Sequence, residues 1–205
     1  MVSIRLPNAA DWTWKPAHQP GKNGAVRFRA RPGIGRRPEM PFLMSFAERP
    51  TRLLHLDLPD EAATEALAAA LATAARPGDV LALEGDLGAG KTVFARAFIR
   101  ACGNGLEEVP SPTFTLVQTY ELPGGTIYHF DLFRLTDPEE AYELAIEEAF
   151  ADGISLIEWP DRLGALLPPG RLEIALDAGS EPTARRVTLA GAADWGQRLR
   201  EAGLA

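Results

Sequence analysis

The chain has 205 residues, a formal net charge of -7 and a single cysteine, and these features exclude several classes of protein. This length suits one α/β domain with a sizeable core and one active site, rather than two full enzymatic domains. Cys102 alone allows neither an intramolecular disulfide nor a cysteine-based zinc cluster. No apolar run approaches the roughly 18 residues that span a bilayer, so we expect a soluble, cytoplasmic protein with no membrane contact.

The charge is divided unevenly along the chain. Residues 1–50 hold nine basic and three acidic side chains, whereas residues 51–205 hold twelve basic and twenty-five acidic ones. Affinity for nucleic acid comes chiefly from Lys and Arg at the phosphate backbone, so the acidic part does not favour direct binding of DNA or RNA. If RNA is involved, we expect a partner protein to hold it.

The first 45 residues differ in composition from the rest of the chain. They are basic, rich in Pro and Gly, and show no helical or alternating apolar period, which predicts that they do not fold alone. Three explanations stay open: a disordered arm that contacts RNA or a partner, a targeting segment, or upstream sequence included by the choice of start codon. Met44 precedes the first regular element and favours the third. We place the domain boundary between residues 45 and 46.

From residue 52 onward, strands alternate with helices. Asp60 is placed to cap a helix that Pro77-Gly78 ends, and two strands flanking Pro123–Gly125 read as a β-hairpin. An α/β fold follows, with a mixed sheet in the middle of three layers and helices on both faces. The predicted strands are Arg52–Leu58, 79–84, 113–121, 126–133, 153–159, 171–176 and 185–190; the predicted helices are 59–78, 92–103, 136–150 and one around Trp195.

A glycine-rich turn joins the second strand to the second helix. Its sequence, GDLGAGKT over residues 85–92, has the spacing of a P-loop, in which backbone N–H groups and the positive end of the next helix surround a phosphate. Lys91 would contact the β- and γ-phosphates and the Thr92 hydroxyl would bind Mg²⁺. The alternative is a purely structural turn. The chain has eighteen Arg but three Lys, and Lys91 is the only Lys after residue 22, which indicates that a guanidinium does not fit there.

Two acidic residues follow apolar strands, where an α/β sheet presents its ligands. Asp131 and Glu158 are the candidates for the second acid that a P-loop requires near its metal ion, although an acid in such a place can also be only a helix cap. Thr113, in the proline-flanked loop after the P-loop helix, could contact Mg²⁺ or the attacking water. We assign His129 no catalytic role and interpret it as a core histidine, and we interpret Cys102 as a buried apolar residue.

These segments together resemble the TsaE family of small bacterial ATPases. The similar segments, in order and spacing, are GDLGAGKT, SPTFTLV, YHFDLFRL, the acidic helix after it, and IEWPDRL. The resemblance runs from about Leu53 to Val187 and implies that residues 46–205 form a P-loop ATPase domain. Members of the family hydrolyse ATP with Mg²⁺ in the pathway that adds threonylcarbamoyl to the adenosine beside the tRNA anticodon. They act with the proteins TsaD and TsaB to sustain turnover, and reach tRNA only through that complex.

The resemblance also implies roles for individual residues. Asp131 is similar to the acid beside the metal, Glu158 to the second essential acid, Thr113 to a switch-like threonine, and Trp159 to a tryptophan close to the nucleotide. The implied nucleotide-binding residues are Gly85, Asp86, Leu87, Gly88, Ala89, Gly90, Lys91, Thr92, Val93, Thr113 and Trp159; the implied metal ligands are Thr92, Asp131 and Glu158, and the implied catalytic residues are Lys91, Asp131 and Glu158.

The chain departs from the family pattern at two places. Phe133 stands where Tyr is common. Many members have a Gly-Arg before the last strand, whose arginine reaches the nucleotide; this chain reads SEPTARRV there, so either Arg185 or Arg186 could take that place.

Two other functions remain as alternatives. A small-molecule P-loop kinase would need an arginine-rich lid, but the arginines after the P-loop helix are scattered and no lid-like insertion is present. A GTPase-like regulatory module would need an Asn-Lys-x-Asp guanine signature, which the chain lacks.

Overall fold

One seven-stranded sheet organises residues 50–204, the part of the chain that the computed structural model describes. The predictions for residues 1–45 lie outside the described residues. In chain order the strands are β1 (Thr51–Leu58), β2 (Val80–Glu84), β3 (Val117–Leu122), β4 (Gly125–Asp131), β5 (Ile154–Glu158), β6 (Leu172–Ala178) and β7 (Arg185–Gly191). The α-helices are α1 (Glu61–Ala74), α2 (Lys91–Cys102), α3 (Ile146–Asp152) and α4 (Ala193–Glu201), and 3-10 helices span Pro138–Leu144 and Pro160–Leu166.

The strand order is β1-β7-β6-β2-β5-β4-β3, and the sheet is mixed. The four central strands β6, β2, β5 and β4 are parallel, whereas β1, β7 and β3 run antiparallel to their neighbours. Strands β3 and β4 form the predicted hairpin. Because parallel strands end at the same edge, the loops after β2, β4 and β5 meet there.

The sheet is covered on both faces, as the sequence predicts. The larger hydrophobic cluster joins α1, α2 and α4 to one face and buries Phe94, Phe98 and Trp195 completely. The smaller cluster joins α3 and both 3-10 helices to the other face, around Phe130. The fold is therefore a three-layer α/β architecture, and the predicted fold class is confirmed.

Local signals explain both boundaries of α1. Asp60 caps α1 as predicted, since its carboxylate accepts a hydrogen bond from the Ala63 N–H at 2.8 Å. The helix ends at Ala74, before the Pro77-Gly78 pair. Within residues 50–204, no helix is both long enough and apolar enough to cross a bilayer.

The prediction of one helix over Thr136–Phe150 was wrong. A 3-10 helix and α3 occupy this stretch instead, separated by Ala145 in the left-handed conformation (φ 57°). Ala141 and Ile146 are both buried in the smaller cluster. Five residues apart on a straight α-helix, they would point about 140° away from each other; the break turns both toward the sheet.

Candidate active site

The glycine-rich turn leaves β2 and leads directly into α2, which begins at Lys91. Gly85, Gly88 and Gly90 have positive φ angles of 138°, 80° and 102°, a region that L-residues with side chains rarely adopt. A Cβ at Gly85 would lie 2.4 Å from the Leu176 carbonyl oxygen on β6. The backbone therefore requires glycine at this position for lack of space as well as for its conformation.

Lys91 is enclosed by the loop that precedes it. Its ammonium donates hydrogen bonds to the carbonyl oxygens of Gly85 at 2.6 Å and Asp86 at 2.9 Å. Lys91 as a whole is only 4% exposed. The Nζ atom also lies 3.9 Å from the centre of the Trp159 ring, in cation–π distance. Burial lowers the pKa of Lys91, and the nearby carboxylates of Glu158 and Asp131 oppose that shift.

Glu158 ends β5 with its carboxylate buried against α2. The Thr92 hydroxyl donates to Glu158 Oε1 at 2.9 Å and to Oε2 at 3.0 Å. On the neighbouring strand β4, His129 Nε2 lies 2.9 Å from Glu158 Oε1. Glu158 is only 3% exposed and His129 is fully buried, so this acid is neither a helix cap nor a solvated turn residue.

Asp131 is paired with Glu158 in the register of β4 and β5, so both acids lie at the same edge of the sheet. It is 6% exposed. The Thr113 hydroxyl donates to Asp131 Oδ2 at 2.8 Å and lies 2.6 Å from the Ser111 hydroxyl, while the Phe133 N–H donates to Oδ1 at 3.2 Å. The loop that contains Thr113 is thus attached to the sheet edge through a buried carboxylate.

An aromatic pair forms one wall of the site. Trp159, with a left-handed backbone (φ 62°), directly follows Glu158, and its ring centre lies 4.9 Å from that of Phe133. These groups enclose a cleft of about 260 Å³. The cleft is lined by Leu87, Gly88, Gly90, Lys91, Thr92, Val93, Thr113, Asp131, Phe133, Glu158 and Trp159.

A second cavity of about 600 Å³ lies between the β6–β7 connection and the end of β1; Asp57, Arg185 and Arg186 contribute to its walls. Arg185 connects it to the glycine turn. Its Nε donates to the Ala89 carbonyl at 2.7 Å and its Nη2 to the Gly88 carbonyl at 3.1 Å, while Nη1 donates to the carbonyls of Pro182 and Ala184 in its own loop. Of the two arginines left open by the sequence, the structure places Arg185 on the turn and leaves Arg186 exposed.

Most residues selected from the sequence meet in the cleft. The exceptions are Gly85, Asp86 and Ala89, which form the turn without lining the cleft and whose carbonyls accept from Lys91 or Arg185. His129 was missed as part of the site. Its position two residues before Asp131 on a strand places both side chains on one face, and that spacing was the available signal.

Comparison with known proteins identifies the family. The TsaE family, described as "Threonylcarbamoyl adenosine biosynthesis protein TsaE", matches residues 58–187. The chain is 48% identical to the tRNA threonylcarbamoyladenosine biosynthesis protein TsaE of Rickettsia conorii over 122 residues, 59% of this chain and 69% of the relative. It is 42% identical to the protein of the same name from Bacillus subtilis over 114 residues, 55% of this chain and 70% of the relative.

A solved structure agrees with this relationship. The crystal structure of Bacillus subtilis YdiB superposes with a TM-score of 0.60 at 29% sequence identity, covering 75% of this chain and 95% of YdiB. The family match, which spans more than half of the chain, and the shared fold lead to one conclusion: this protein belongs to the TsaE family of threonylcarbamoyl adenosine biosynthesis proteins.

Proposed function

We propose that the protein is a Mg²⁺-dependent ATPase required in the cytoplasm for the threonylcarbamoyl modification of the tRNA adenosine beside the anticodon. In this proposal it acts with TsaD and TsaB to sustain turnover of their complex. One observation supports the ATPase assignment above all. The ammonium of Lys91, the hydroxyl of Thr92 and the carboxylates of Asp131 and Glu158 converge on a single cleft at the start of α2.

The donor atoms fit magnesium. Thr92 and Glu158 offer a hydroxyl and a carboxylate that already touch, and Asp131 adds a second buried carboxylate beside them. All are hard oxygen donors, which Mg²⁺ prefers. Within residues 50–204, no group of three His, Cys, Asp or Glu side chains could hold a metal alone; Mg²⁺ at nucleotide sites is bound by one or two carboxylates together with phosphate oxygens and water. When bound, the cation would neutralise charge on the β- and γ-phosphates.

The two cavities fit the two parts of ATP. The cleft beside the glycine turn has the backbone N–H groups and the Lys91 ammonium that a triphosphate requires. The larger cavity is lined by Arg185, which also bonds to the turn, and we assign its space to the base and ribose. We therefore place the phosphates against Lys91 and Thr92, and the adenosine against the end of β1 and the β6–β7 loop.

In the proposed reaction, a water oxygen bonds to the γ-phosphorus while the bond between that phosphorus and the β,γ-bridging oxygen breaks. The products are ADP and phosphate, and the proton from water is released. Lys91 stabilises charge that develops on the phosphoryl oxygens. We assign Glu158 as the principal acid at the metal site. Thr113 donates a hydrogen bond to Asp131, and we assign it to contact with the attacking water.

The surface is consistent with work through protein partners. The net negative charge of residues 51–205 disfavours direct contact with tRNA. Leu87 and Phe114 are 83% and 82% exposed on the glycine turn and on the Thr113 loop, which border the cleft. Burial of these two side chains against a partner would remove apolar surface from water, and we assign them to contacts with TsaD or TsaB.

Reconstitution tests this function. TsaD, TsaB, tRNA, threonylcarbamoyl-adenylate and Mg-ATP would be combined with the full chain, with Glu158→Ala or with no third protein, and modified adenosine would be counted per complex. We expect several turnovers with the wild type and about one with the variant or without it. Equal turnover in all three mixtures would refute the proposal. A parallel incubation with a metabolite panel would reveal a phosphorylated product if the protein were instead a small-molecule kinase.

A further inference from the structure

His129 is a buried histidine that the proposed reaction does not use directly. It is fully buried in β4, and its Nε2 lies 2.9 Å from Glu158 Oε1. Since β4 and β5 are parallel and pair His129 with Leu156, Glu158 lies two residues further along the same face of the sheet. The His129 ring therefore contacts the carboxylate from the neighbouring strand β4, whereas Thr92 contacts it from α2.

The hydrogen-bond pattern assigns the proton on the ring. An ionised carboxylate only accepts hydrogen bonds, so the Nε2 of His129 is the donor in its contact with Glu158. The other ring nitrogen, Nδ1, is buried and has no hydrogen-bond partner among the described residues. The imidazole thus makes one polar contact, and that contact is with the acid at the candidate metal site.

A histidine kept only to fill the core would be a poor choice here. Its unpaired Nδ1 loses hydrogen bonds to water on folding, a penalty that an apolar side chain would avoid. Glu158 has two side-chain partners among the described residues, Thr92 and His129. Thr92 is itself a proposed metal ligand, so His129 is the partner whose contact with the carboxylate does not compete with metal binding.

We infer that His129 is a positioning residue: by donating from Nε2 it fixes the carboxylate of Glu158 in the orientation that faces Thr92 and the phosphate site. A hydrogen bond from a residue that does not itself bind the metal orients the metal-binding group, and loss of such a bond typically lowers metal affinity 10–100-fold. This inference rests on the proposed Mg-nucleotide site and adds a residue that orients one of its proposed metal ligands.

Two amide substitutions separate positioning from packing. His129→Gln places an amide nitrogen near the position of Nε2, whereas His129→Asn has a similar polarity but a side chain too short to reach Glu158. Isothermal titration calorimetry of the full chain with ADP, in Mg²⁺ and in EDTA, gives the factor by which Mg²⁺ raises ADP affinity. Circular dichroism and thermal unfolding establish that each variant is folded.

We expect His129→Asn to reduce the Mg²⁺ factor at least about tenfold while ADP affinity in EDTA changes less than about twofold. His129→Gln should keep the factor within about threefold of the wild type. In a Glu158→Gln background, His129→Asn should have almost no further effect, because the partner of its hydrogen bond has changed.

Other results would overturn the inference. If His129→Asn keeps the wild-type Mg²⁺ factor, or if a folded His129→Gln loses as much as His129→Asn, the histidine does not position Glu158. Should His129→Asn fail to fold, a folded His129→Gln that keeps the Mg²⁺ factor within about threefold supports the inference, and one that lowers it about tenfold or more overturns it. If Mg²⁺ has no effect on ADP affinity in the wild type, the proposed metal site itself is wrong and the inference fails with it, which distinguishes the two failures.

Discussion

Arg185 connects the β6–β7 loop to the glycine turn, and its removal should weaken nucleotide binding. Its guanidinium makes two hydrogen bonds to the turn, to Ala89 at 2.7 Å and Gly88 at 3.1 Å. Each bond contributes about 0.5–1.5 kcal/mol to the stability of this turn conformation, so the two contribute about 1–3 kcal/mol. Without them the turn populates other conformations, and nucleotide binding is weakened by the free energy needed to restore the binding conformation. Because Arg185 is partly exposed, solvent screening places the expected value near the lower end. About 1.4 kcal/mol corresponds to a tenfold change in affinity.

The neighbouring Arg186 offers a matched control. Both arginines contribute to the wall of the larger cavity, and their substitution removes the same charge from the same strand. Of these two arginines, only Arg185 has hydrogen bonds to the turn among the described residues. Calorimetric titration with ADP should therefore show a roughly tenfold weaker affinity for Arg185→Met and less than about threefold for Arg186→Met.

Arg185→Lys refines the test. A lysine keeps the charge but cannot donate to two carbonyls in the fixed geometry of a guanidinium. The ADP affinity of Arg185→Lys should therefore lie between those of the wild type and Arg185→Met. Equal losses for Arg185→Met and Arg186→Met would refute the reasoning, since general electrostatics would then explain both. An unchanged affinity in Arg185→Met would refute it as well.

Three further predictions concern the turn and the core. Lys91→Met should lower ADP affinity roughly a hundredfold by calorimetry; its melting temperature should not fall, because burial disfavours the charged ammonium in the free protein. Gly85→Ala should reduce the free energy of unfolding by about 2–4 kcal/mol in urea, since its Cβ would meet Leu176; Gly88→Ala, with no atom within 4 Å, should lose only about 1 kcal/mol. Burial raises the pKa of Cys102 from 9.0 to about 12, so its contribution to stability should be complete below pH 9 and decline as the pH rises toward 12. Thiol reagents at pH 8 should then label the folded protein far more slowly than the urea-unfolded protein, and equal rates would contradict the burial.

The sequence predicts the glycine turn and the residues beside it because their determinants are local. Within eight residues, the spacing of Gly85, Gly88 and Gly90 specifies the turn, and Lys91 and Thr92 follow at the start of a helix. Apolar strands before Asp131 and Glu158 are enough to predict that both acids lie at the carboxyl edge of the sheet. The structure places all of these residues except Gly85 in one cleft.

Other features depend on contacts between distant parts of the chain. The contact of His129 with Glu158 requires the register between β4 and β5, which no local pattern specifies. Arg185 and Arg186 are adjacent and point to opposite faces of β7, so the choice between them depends on how β6 and β7 pair. The break at Ala145 arises because two apolar positions must reach one core, although the Ala, Leu and Glu residues around it favour a continuous helix.

We propose that the cleft hydrolyses Mg-ATP in support of tRNA modification. The most direct measurement is phosphate release from Mg-ATP by the full chain, alone and with TsaD, TsaB and tRNA, beside the Glu158→Ala variant. We predict slow release by the protein alone, stimulation by the partners, and loss of the stimulated rate in the variant. Equal release by wild type and variant, or no release under any condition by a folded wild-type protein, would contradict the account.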